Sequence, residues 1–452
     1  MGTSDISRRA MLSGTAAGSL ALLLSACTRD SGGSTGASTG SGNPLLAISN
    51  GALSFAVCLP VSGAFTTVTV PWAQAVKYAA DERNEAGGLK IKGKSYKVTA
   101  PMIDEGYAAA PALASAQKFF SQGGHYIGGL VSEEAPTALL GVNEQADALI
   151  STCIVGNPSL SKNNLRLFGD SLTQATGSMR AHFAYDELKL RKIATIELKN
   201  SWGASYQETF AAAFKELGGE IVARDYMDVT DTDFTARISG WKAFSPDGIY
   251  IIIGNSPGIT IANQAAQLGF DSQPFLLEGA WDPNVYKTTG AAFIDRSYYV
   301  SQYPYCHTTS AAVKLAQKLH DDKNLFVTNW FWQGYDSTRM VLDAMELANS
   351  TDPRDVISAL PEAVEKGASK WLIKAPGAVA TKEKGVYLKT PVWMAKFRPL
   401  DTDFINESPL VAVDNAKYAN VQGWLPAQWK GYSQDLADVQ PLTDAELKKL
   451  VG

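Results

Sequence analysis

Strand-like and helix-like patterns alternate along most of this chain, and that alternation restricts the fold more than any other feature of the sequence. An apolar run at 53–59 ends at Pro60, and helical spacing follows at 71–85, closed by Gly87-Gly88. Short buried strands separated by amphipathic helices predict βαβ units. Such units form mostly parallel sheets that carry helices on both faces.

The alternation continues to residue 155 and includes a strand predicted at 96–103. It begins again near residue 173, with a strand predicted at 192–198 and a helix at 206–217, and the sequence is not obviously repeated. The chain has 452 residues, more than a single hydrophobic core usually serves. We therefore predict an α/β protein with two Rossmann-like lobes, each built on a parallel sheet.

Residues 1–27 indicate export rather than a folded element. Ser7-Arg8-Arg9 precedes an apolar run at 11–26, which is shorter than the roughly 20 residues that span a bilayer. This pattern resembles a twin-arginine signal, and Leu24-Ser25-Ala26-Cys27 resembles a bacterial lipobox. The lipobox resemblance implies acylation of Cys27 and anchoring to the outer face of the cell membrane. The alternative is an ordinary secretory signal with an incidental cysteine.

Composition and charge argue against several classes of function. The formal net charge is -5 and no basic block follows the signal, so nucleic acid has no electrostatic surface to bind. Cys58, Cys153 and Cys306 are odd in number and not closely paired, which argues against a disulfide framework or a thiolate zinc site. We expect them to be buried apolar residues. His125 and His182 are isolated, and no metal or cofactor is predicted.

Ligands of parallel α/β sheets bind outside the carboxyl ends of the strands, where loops meet helix N-termini. Two lobes that face each other in this way form a cleft at their hinge. The loops after the predicted strands are rich in Ser, Asn, Glu and Trp. These loops are 60–65, 131–134, 156–161, 199–205, 254–258 and 278–283.

Several motifs occur in the order and spacing of a known family. They are Pro60-Val61-Ser62-Gly63, Asn84-Glu85-Ala86-Gly87-Gly88, Asn157-Pro158-Ser159-Leu160, Trp202-Gly203, Asp233-Phe234, Pro246-Asp247 and Glu278-Gly279. Over about 53–397 the chain resembles the leucine/isoleucine/valine-binding family of ABC uptake systems. The resemblance implies the type I periplasmic-binding fold, in which a three-segment hinge joins the lobes.

These observations predict how the chain is divided. The expected divisions are 1–27 (signal), 28–50 (flexible Gly/Ser/Thr-rich tether), 51–170 and 301–385 (first lobe), 171–300 and 386–410 (second lobe) and 411–452 (a tail packed on the body). Crossovers near 168–172, 298–303 and 384–389 are expected to form the hinge.

The resemblance also implies which residues contact the ligand. Ser132 would bind a ligand carboxylate with its hydroxyl, and Gly156, followed by Asn157, would add a backbone N–H without the family's usual threonine hydroxyl. From the second lobe, Trp202 would cap the ligand and Glu278 would pair with its ammonium group. The remaining positions are Asn255, in place of a second-lobe tyrosine, and Tyr335, an aromatic residue from a late helix.

Other residues point toward a cationic ligand. Glu133 and Glu134 bring negative charge to the carboxylate end, and Trp202 and Trp281 are larger than a small aliphatic ligand needs. Aromatic faces and carboxylates suit a cation, so we expect an amino acid, an amine or an amide. Three alternatives stay open. The two glutamates would only cap a helix, Trp281 would pack in the core, or Glu278 would be a solvated surface acid.

The expected role is that of a monomeric extracytoplasmic solute-binding protein, not an enzyme. It would close about its hinge on a small molecule and deliver it to the permease subunits of an ABC importer. One alternative keeps the fold and assigns a ligand-sensing receptor domain. That role usually needs an output segment, and the polar stretch 442–452 does not resemble one.

A serine hydrolase is the second alternative. Gly254-Asn255-Ser256-Pro257-Gly258 matches the G-x-S-x-G nucleophile elbow between a strand and a helix. In that elbow, the residue after the nucleophile donates a backbone N–H to the oxyanion. Pro257 has no such N–H, which argues against Ser256 as a nucleophile.

Overall fold

The computed structural model describes residues 48–49, 51–62, 65–132, 134–152, 167–169, 173–253, 255–278, 296–301, 315, 318–319, 321–322, 329–365, 378–381, 385–388, 393–397 and 410–412. All of them belong to one compact unit, Gly42–Gly452. The predicted signal, including Cys27, lies outside the described residues.

The first part of the described chain alternates strands and helices. Its elements are β1 (Ile48–Ser49), β2 (Ala52–Ser54), β3 (Ala56–Leu59), α1 (Thr66–Glu85), β4 (Leu89–Ile91), β5 (Lys94–Thr99), β6 (Met102–Asp104), α2 (Ala109–Ser121), β7 (Tyr126–Gly129), α3 (Glu134–Leu139), α4 (Val142–Gln145), β8 (Leu149–Thr152) and β9 (Leu167–Gly169).

The alternation continues in the second part. Its elements are α5 (Thr173–His182), which runs into a π-helical turn at Phe183–Glu187, β10 (Lys192–Leu198), α6 (Ser201–Glu216), β11 (Glu220–Met227), α7 (Thr235–Trp241), which runs into a 3-10 turn at Lys242–Phe244, β12 (Gly248–Ile252), α8 (Asn255–Gln267), β13 (Phe275–Leu277), β14 (Ser297–Ser301), α9 (Asn329–Ala348), α10 (Pro353–Glu365), β15 (Ala378–Thr381), β16 (Gly385–Leu388), β17 (Trp393–Phe397) and β18 (Leu410–Ala412).

Two seven-stranded sheets carry the fold. The first has the order β15-β16-β9-β8-β7-β3-β6, and the second has the order β11-β10-β12-β13-β14-β17-β18. Pairing is parallel except between β15 and β16 in the first sheet and around β17 in the second. Strands β3, β8 and β12 are buried along their whole length, as expected of strands covered on both faces. The prediction of an α/β chain with two mostly parallel sheets is confirmed.

The chain passes from one sheet to the other three times among the described strands. These passages lead from β9 to β10, from β14 to β15 and from β16 to β17. Two strands lie in a different part of the fold from the one that the sequence predicted. Strand β16 pairs with β9 and extends the first sheet past residue 385, and β18 pairs with β17, so residues 411–412 join the second sheet. The partner of β16 lies 218 residues earlier in the chain, as in the pair Val386 and Phe168, so a local pattern does not reveal this pairing.

The strand predicted at 96–103 is two strands in two different sheets. Strand β5 pairs with β2 in a small four-stranded sheet, whereas β6 pairs with β3 in the first large sheet. Pro101 lies between them and has no N–H to donate to a ladder. The chain therefore changes sheets at this proline.

Helix α6 begins at Ser201, five residues before the predicted start at residue 206. Asn200 accepts a hydrogen bond from the Gly203 backbone N–H at 2.9 Å, which is an N-cap interaction. Trp202 therefore lies in the first helical turn instead of in a loop. Asn255 likewise begins α8, where the sequence predicted a loop.

Helices α1 and α9 pack closely against each other. A Cβ atom added at Gly334 would lie 3.1 Å from Trp72 Cδ2, so the glycine lets the two helices approach. Trp72 and Phe331 are both fully buried there. Among the helices that the structure describes, none combines the length and the apolar composition of a membrane span.

Gly203 provides a test of the α6 start. A Cβ atom at this position would overlap the Leu198 backbone carbonyl, whereas a Cβ atom at Gly240 in α7 would meet nothing within 4 Å. We expect Gly203→Ala to destabilise the protein by about 1–3 kcal/mol through overpacking. Gly240→Ala should be neutral or stabilise by up to about 1 kcal/mol, because alanine restricts the unfolded chain. Urea unfolding of both variants measures the difference, and equal stability would contradict this packing.

Candidate ligand-binding site

The carboxyl edge of the first sheet is organised by a buried acid that the sequence analysis missed. Glu105 directly follows β6 and is fully buried. Its carboxylate accepts the backbone N–H of Val131 at 3.2 Å and that of Ser132 at 3.1 Å. The available signal in the sequence was the acidic pair Asp104-Glu105 at the end of a predicted strand.

Ser132 lies at this edge, as predicted, three residues after β7. It is 1% exposed, and its hydroxyl oxygen accepts the Ala135 backbone N–H at 3.1 Å. The Ser132 side chain also hydrogen-bonds to Glu105. Ser132 is therefore the N-terminal cap of α3, and a ligand would have to compete with Glu105 for its hydroxyl proton. Glu134 lies in the first turn of α3, which agrees with the helix-capping alternative for that residue.

Burial dominates the ionisation of Glu105. It raises the pKa of this carboxyl to about 8, although the hydrogen bonds from Ser132 and Val131 oppose the shift. The nearby Asp104 carboxylate raises it further. The Glu105 carboxyl is therefore largely protonated at neutral pH and adds little negative charge beneath Ser132.

Two aromatic rings cover the same edge. Phe65, just before α1, stacks on Tyr107, which follows β6, with ring centroids 3.8 Å apart. Val61, in the loop after β3, is 51% exposed, and its backbone N–H donates to Asp104 Oδ1 at 3.4 Å. The loops after β3 and β6 thus carry aromatic and apolar side chains at this edge.

Glu278 lies at the carboxyl edge of the second sheet, directly after β13. It is only 6% exposed, so the alternative of a solvated surface acid is wrong. Its Oε2 lies 2.8 Å from Arg180 Nη2 and accepts a hydrogen bond from the Tyr250 hydroxyl at 3.1 Å. Tyr206 also hydrogen-bonds to this carboxylate. Glu278 therefore already has an internal cationic partner, which the sequence did not predict.

Arg180 completes this cluster from α5. It is fully buried, and its Nη1 donates to the Tyr250 hydroxyl at 2.6 Å. Burial raises the pKa of Glu278, and Arg180 and the two tyrosines oppose that shift. Burial likewise raises the pKa of Tyr250, so its hydroxyl stays protonated.

Trp202 contributes an aromatic surface next to this cluster. Its ring lies 4.8 Å from the Tyr206 ring, and it is 8% exposed. The Trp202 indole N–H is buried without a hydrogen-bond partner. Both residues lie in the first two turns of α6, so they approach Glu278 from the helix layer.

Tyr335 occupies a different place from the one implied by the resemblance. It is buried between α1 and α9, and its hydroxyl donates to Glu82 Oε2 at 2.6 Å. Glu82 is 16 residues beyond the start of α1 at Thr66, hence about 24 Å along the helix from the loop edge. The structure does not bring Tyr335 together with Ser132.

The remaining predicted contacts cannot be placed among these groups. Glu133, Gly156, Asn157 and Trp281 lie outside the described residues, as does the side chain of Asn255. Within the described part of the chain, no three His, Cys, Asp or Glu side chains come together as metal ligands. Cys58 is a free, buried cysteine, as expected, whereas Cys153 and Cys306 lie outside the described residues.

The sequence and the fold of this chain are similar to those of known proteins. The family model described as periplasmic binding protein matches residues 52–398, most of the chain. The chain belongs to the periplasmic binding protein family. The recognition made from the sequence and the type I fold that it implied are confirmed.

Three similar proteins represent this family. The Leu/Ile/Val-binding protein homolog 3 of Brucella melitensis is 23% identical over 338 residues, which are 74% of this chain and 88% of that protein. The leucine-binding protein LivK of Thermotoga maritima has a TM-score of 0.66 at 20% identity, covering 80% of this chain and 97% of that one. A solute-binding protein of R. palustris, in complex with benzoate, has a TM-score of 0.65 at 15% identity, covering 80% and 96%.

Periplasmic binding proteins bind solutes and are not enzymes. Family membership therefore confirms that this chain is not an enzyme, and the match of Gly254-Asn255-Ser256-Pro257-Gly258 to a nucleophile elbow is incidental. The family also implies a location outside the cytoplasm.

The buried Glu105 predicts a pH dependence of stability. Because its pKa is raised in the folded state to about 8, the folded protein binds a proton that the unfolded chain releases above about pH 4.3. Stability should therefore fall between these values, by up to about 1.4 kcal/mol for each pH unit. Glu105→Gln mimics the protonated acid and should flatten this dependence.

Urea unfolding at pH 5 and pH 8 measures the effect of Glu105→Gln. The control is Glu216→Gln, which changes an exposed carboxylate on α6 and should keep the wild-type dependence. An unchanged pH dependence in Glu105→Gln would contradict the assignment.

Proposed function

We propose that this protein is the extracytoplasmic solute-binding component of an ABC importer, and that it binds a small organic molecule between the two sheet edges. One observation carries the proposal. Ser132 with Glu105 at the first edge, and Trp202 with Glu278 at the second, are buried polar and aromatic groups at the carboxyl ends of parallel strands. Ligands of this class of sheet bind at those ends.

The proposed contacts come from both lobes. In the first lobe they are Ser132, Glu133, Gly156 and Asn157, and in the second lobe they are Trp202, Asn255, Glu278 and Trp281. Tyr335 is left out, because its hydroxyl is bonded to Glu82 in the helix interface. A ligand that touches both sets would bind most tightly when the lobes close.

Hinge closure is the proposed mechanism of binding. The three passages between the sheets would absorb the change in backbone torsion while each sheet moves as a rigid body. A ligand stabilises the closed form only by the difference between its affinities for the two forms. The importer would then recognise the closed arrangement of the lobes, whatever the ligand.

The class of ligand remains a proposal that the fold alone does not decide. Related structures include a leucine-binding protein and a benzoate complex, so this fold accommodates ligands both with and without an amino group. The residues of the sequence favour an amino acid, an amine or an amide.

Trp202→Ala tests the proposed second-lobe contact. Removal of a buried aromatic side chain that caps a ligand should weaken binding by about tenfold or more. The ligand is first recovered from the purified protein and identified by mass spectrometry, and its affinity is then measured by calorimetry. Tyr226→Ala is the control, because Tyr226 is 45% exposed on the outer strand β11. Equal affinity in both variants would exclude Trp202 from the site.

Small-angle scattering with the same ligand tests closure. A decrease in the radius of gyration of the wild-type protein is expected when ligand is added. A tight ligand that leaves the scattering unchanged would contradict hinge closure.

We also propose that Cys27 carries the lipid anchor. Cys27→Ser removes the acylated thiol and should move the protein from the membrane fraction to the soluble extracytoplasmic fraction. Cys306→Ser, which leaves the Leu24–Cys27 motif intact, should stay with the membrane. Immunoblots of the two fractions distinguish these outcomes, and a soluble wild-type protein would refute the anchor.

A further inference from the structure

The carboxylate of Glu278 is engaged by groups of its own lobe. Its Oε2 is contacted by Arg180 Nη2 at 2.8 Å and by the Tyr250 hydroxyl at 3.1 Å, and Tyr206 adds a further hydrogen bond. The Glu278 backbone N–H also donates to the Ile251 carbonyl at 3.2 Å, which holds the residue against β12. The side chain therefore points toward the helix layer formed by α5 and α6.

We propose that the positive charge of Arg180 neutralises the Glu278 carboxylate, so that Glu278 does not bind a ligand ammonium group. The site therefore binds small carboxylic acids or amides that carry no amino group. This inference rests on the proposed function. It identifies Arg180 as a residue that determines specificity through Glu278. It keeps the amides of the ligand class proposed above and replaces its amino acids and amines with carboxylic acids that lack the amino group.

The reason lies in the charges that a ligand ammonium group would meet at this place. A ligand ammonium placed against Glu278 would also lie close to the Arg180 guanidinium, which is separated from the carboxylate by only 2.8 Å. The attraction of one group is then largely offset by the repulsion of the other. If Glu278 is protonated in its buried position instead, the repulsion from Arg180 is unopposed. In both cases an ammonium group leaves water without gaining a net opposite charge.

Arg180 is fixed in this position. It has no exposed surface, its Nη1 donates to the Tyr250 hydroxyl at 2.6 Å, and its guanidinium carbon lies 4.8 Å from the centre of the Tyr250 ring. Because no part of Arg180 reaches solvent, a rotation of its side chain would have to displace packed neighbours. Ligand binding is therefore not expected to free Glu278 by a simple rotation of the arginine side chain.

The other buried carboxylate described in the second sheet is paired in the same way. Glu197, near the end of β10, lies 2.6 Å from Arg224 on β11. Both buried acids that the structure describes in this sheet thus have an arginine partner. With both acids paired, the described wall offers a ligand the aromatic surface of Trp202 and Tyr206 and the unpartnered indole N–H of Trp202.

Matched ligand pairs test the inference directly. Leucine is compared with isocaproate, and phenylalanine with hydrocinnamate, because each acid lacks only the amino group of its partner. Calorimetry on the wild-type protein should show that the acids without the amino group bind at least about tenfold more tightly. Tighter binding of the amino acids would overturn the inference.

The variant Arg180→Met tests whether Arg180 causes the preference for acids without an amino group. Without the guanidinium, Glu278 becomes available to an ammonium group, and the preference should shift toward the amino acids by about tenfold or more. Arg191→Met is the control, since Arg191 precedes β10 at the opposite edge of the same sheet. An unchanged preference in a folded Arg180→Met variant would overturn the role of Arg180. If that variant does not fold, the wild-type comparison still decides the ligand class.

The ligand recovered from the purified protein provides an independent measurement. A recovered molecule without an amino group supports the inference, and a primary or secondary amine contradicts it while leaving the proposed function intact. If no probe and no recovered molecule binds or compacts the protein, the proposed function fails, and the inference fails with it.

Discussion

Parallel pairing of strands is the constraint on which the site of this protein depends. Strands β3, β7 and β8 in one sheet, and β10, β12 and β13 in the other, each deliver their following loop to the carboxyl edge of their sheet. Two groups of loops are thereby collected from segments far apart in sequence.

Carboxylates buried at these edges need compensation, and the two sheets provide it differently. Glu105 relies on the backbone N–H groups of Val131 and Ser132, which stabilise the carboxyl without an opposite charge. Burial outweighs these hydrogen bonds and raises the pKa of Glu105 to about 8. Glu278 relies on a full opposite charge from Arg180 and on tyrosine hydroxyls. The hydrogen bonds of Glu105 hold the loop at Val131 and Ser132. The ion pair with Arg180 neutralises the negative charge of Glu278, which is therefore not available to a ligand.

The sequence predicted the sheet architecture well, because the period of apolar residues depends on local structure. Strand β10 covers the predicted residues 192–198, and the positions of Ser132 and Glu278 directly after buried strands were also predicted. The errors occur where local and distant preferences compete. The strand predicted at 96–103 is divided at Pro101, and α6 begins earlier because Asn200 caps it.

The sequence by itself determined the alternation of strands and helices, the family and the strand ends at which polar residues gather. Only the tertiary structure decided which partner each buried charge has. Arg180 lies 98 residues before Glu278 on a helix whose pattern marks it as merely polar, and Tyr335 meets Glu82 across 253 residues. The reason is physical: apolar periodicity is set by neighbours in the chain, whereas the electrostatic state of a buried group is set by whatever the packed helices and sheets place within a few ångströms of it.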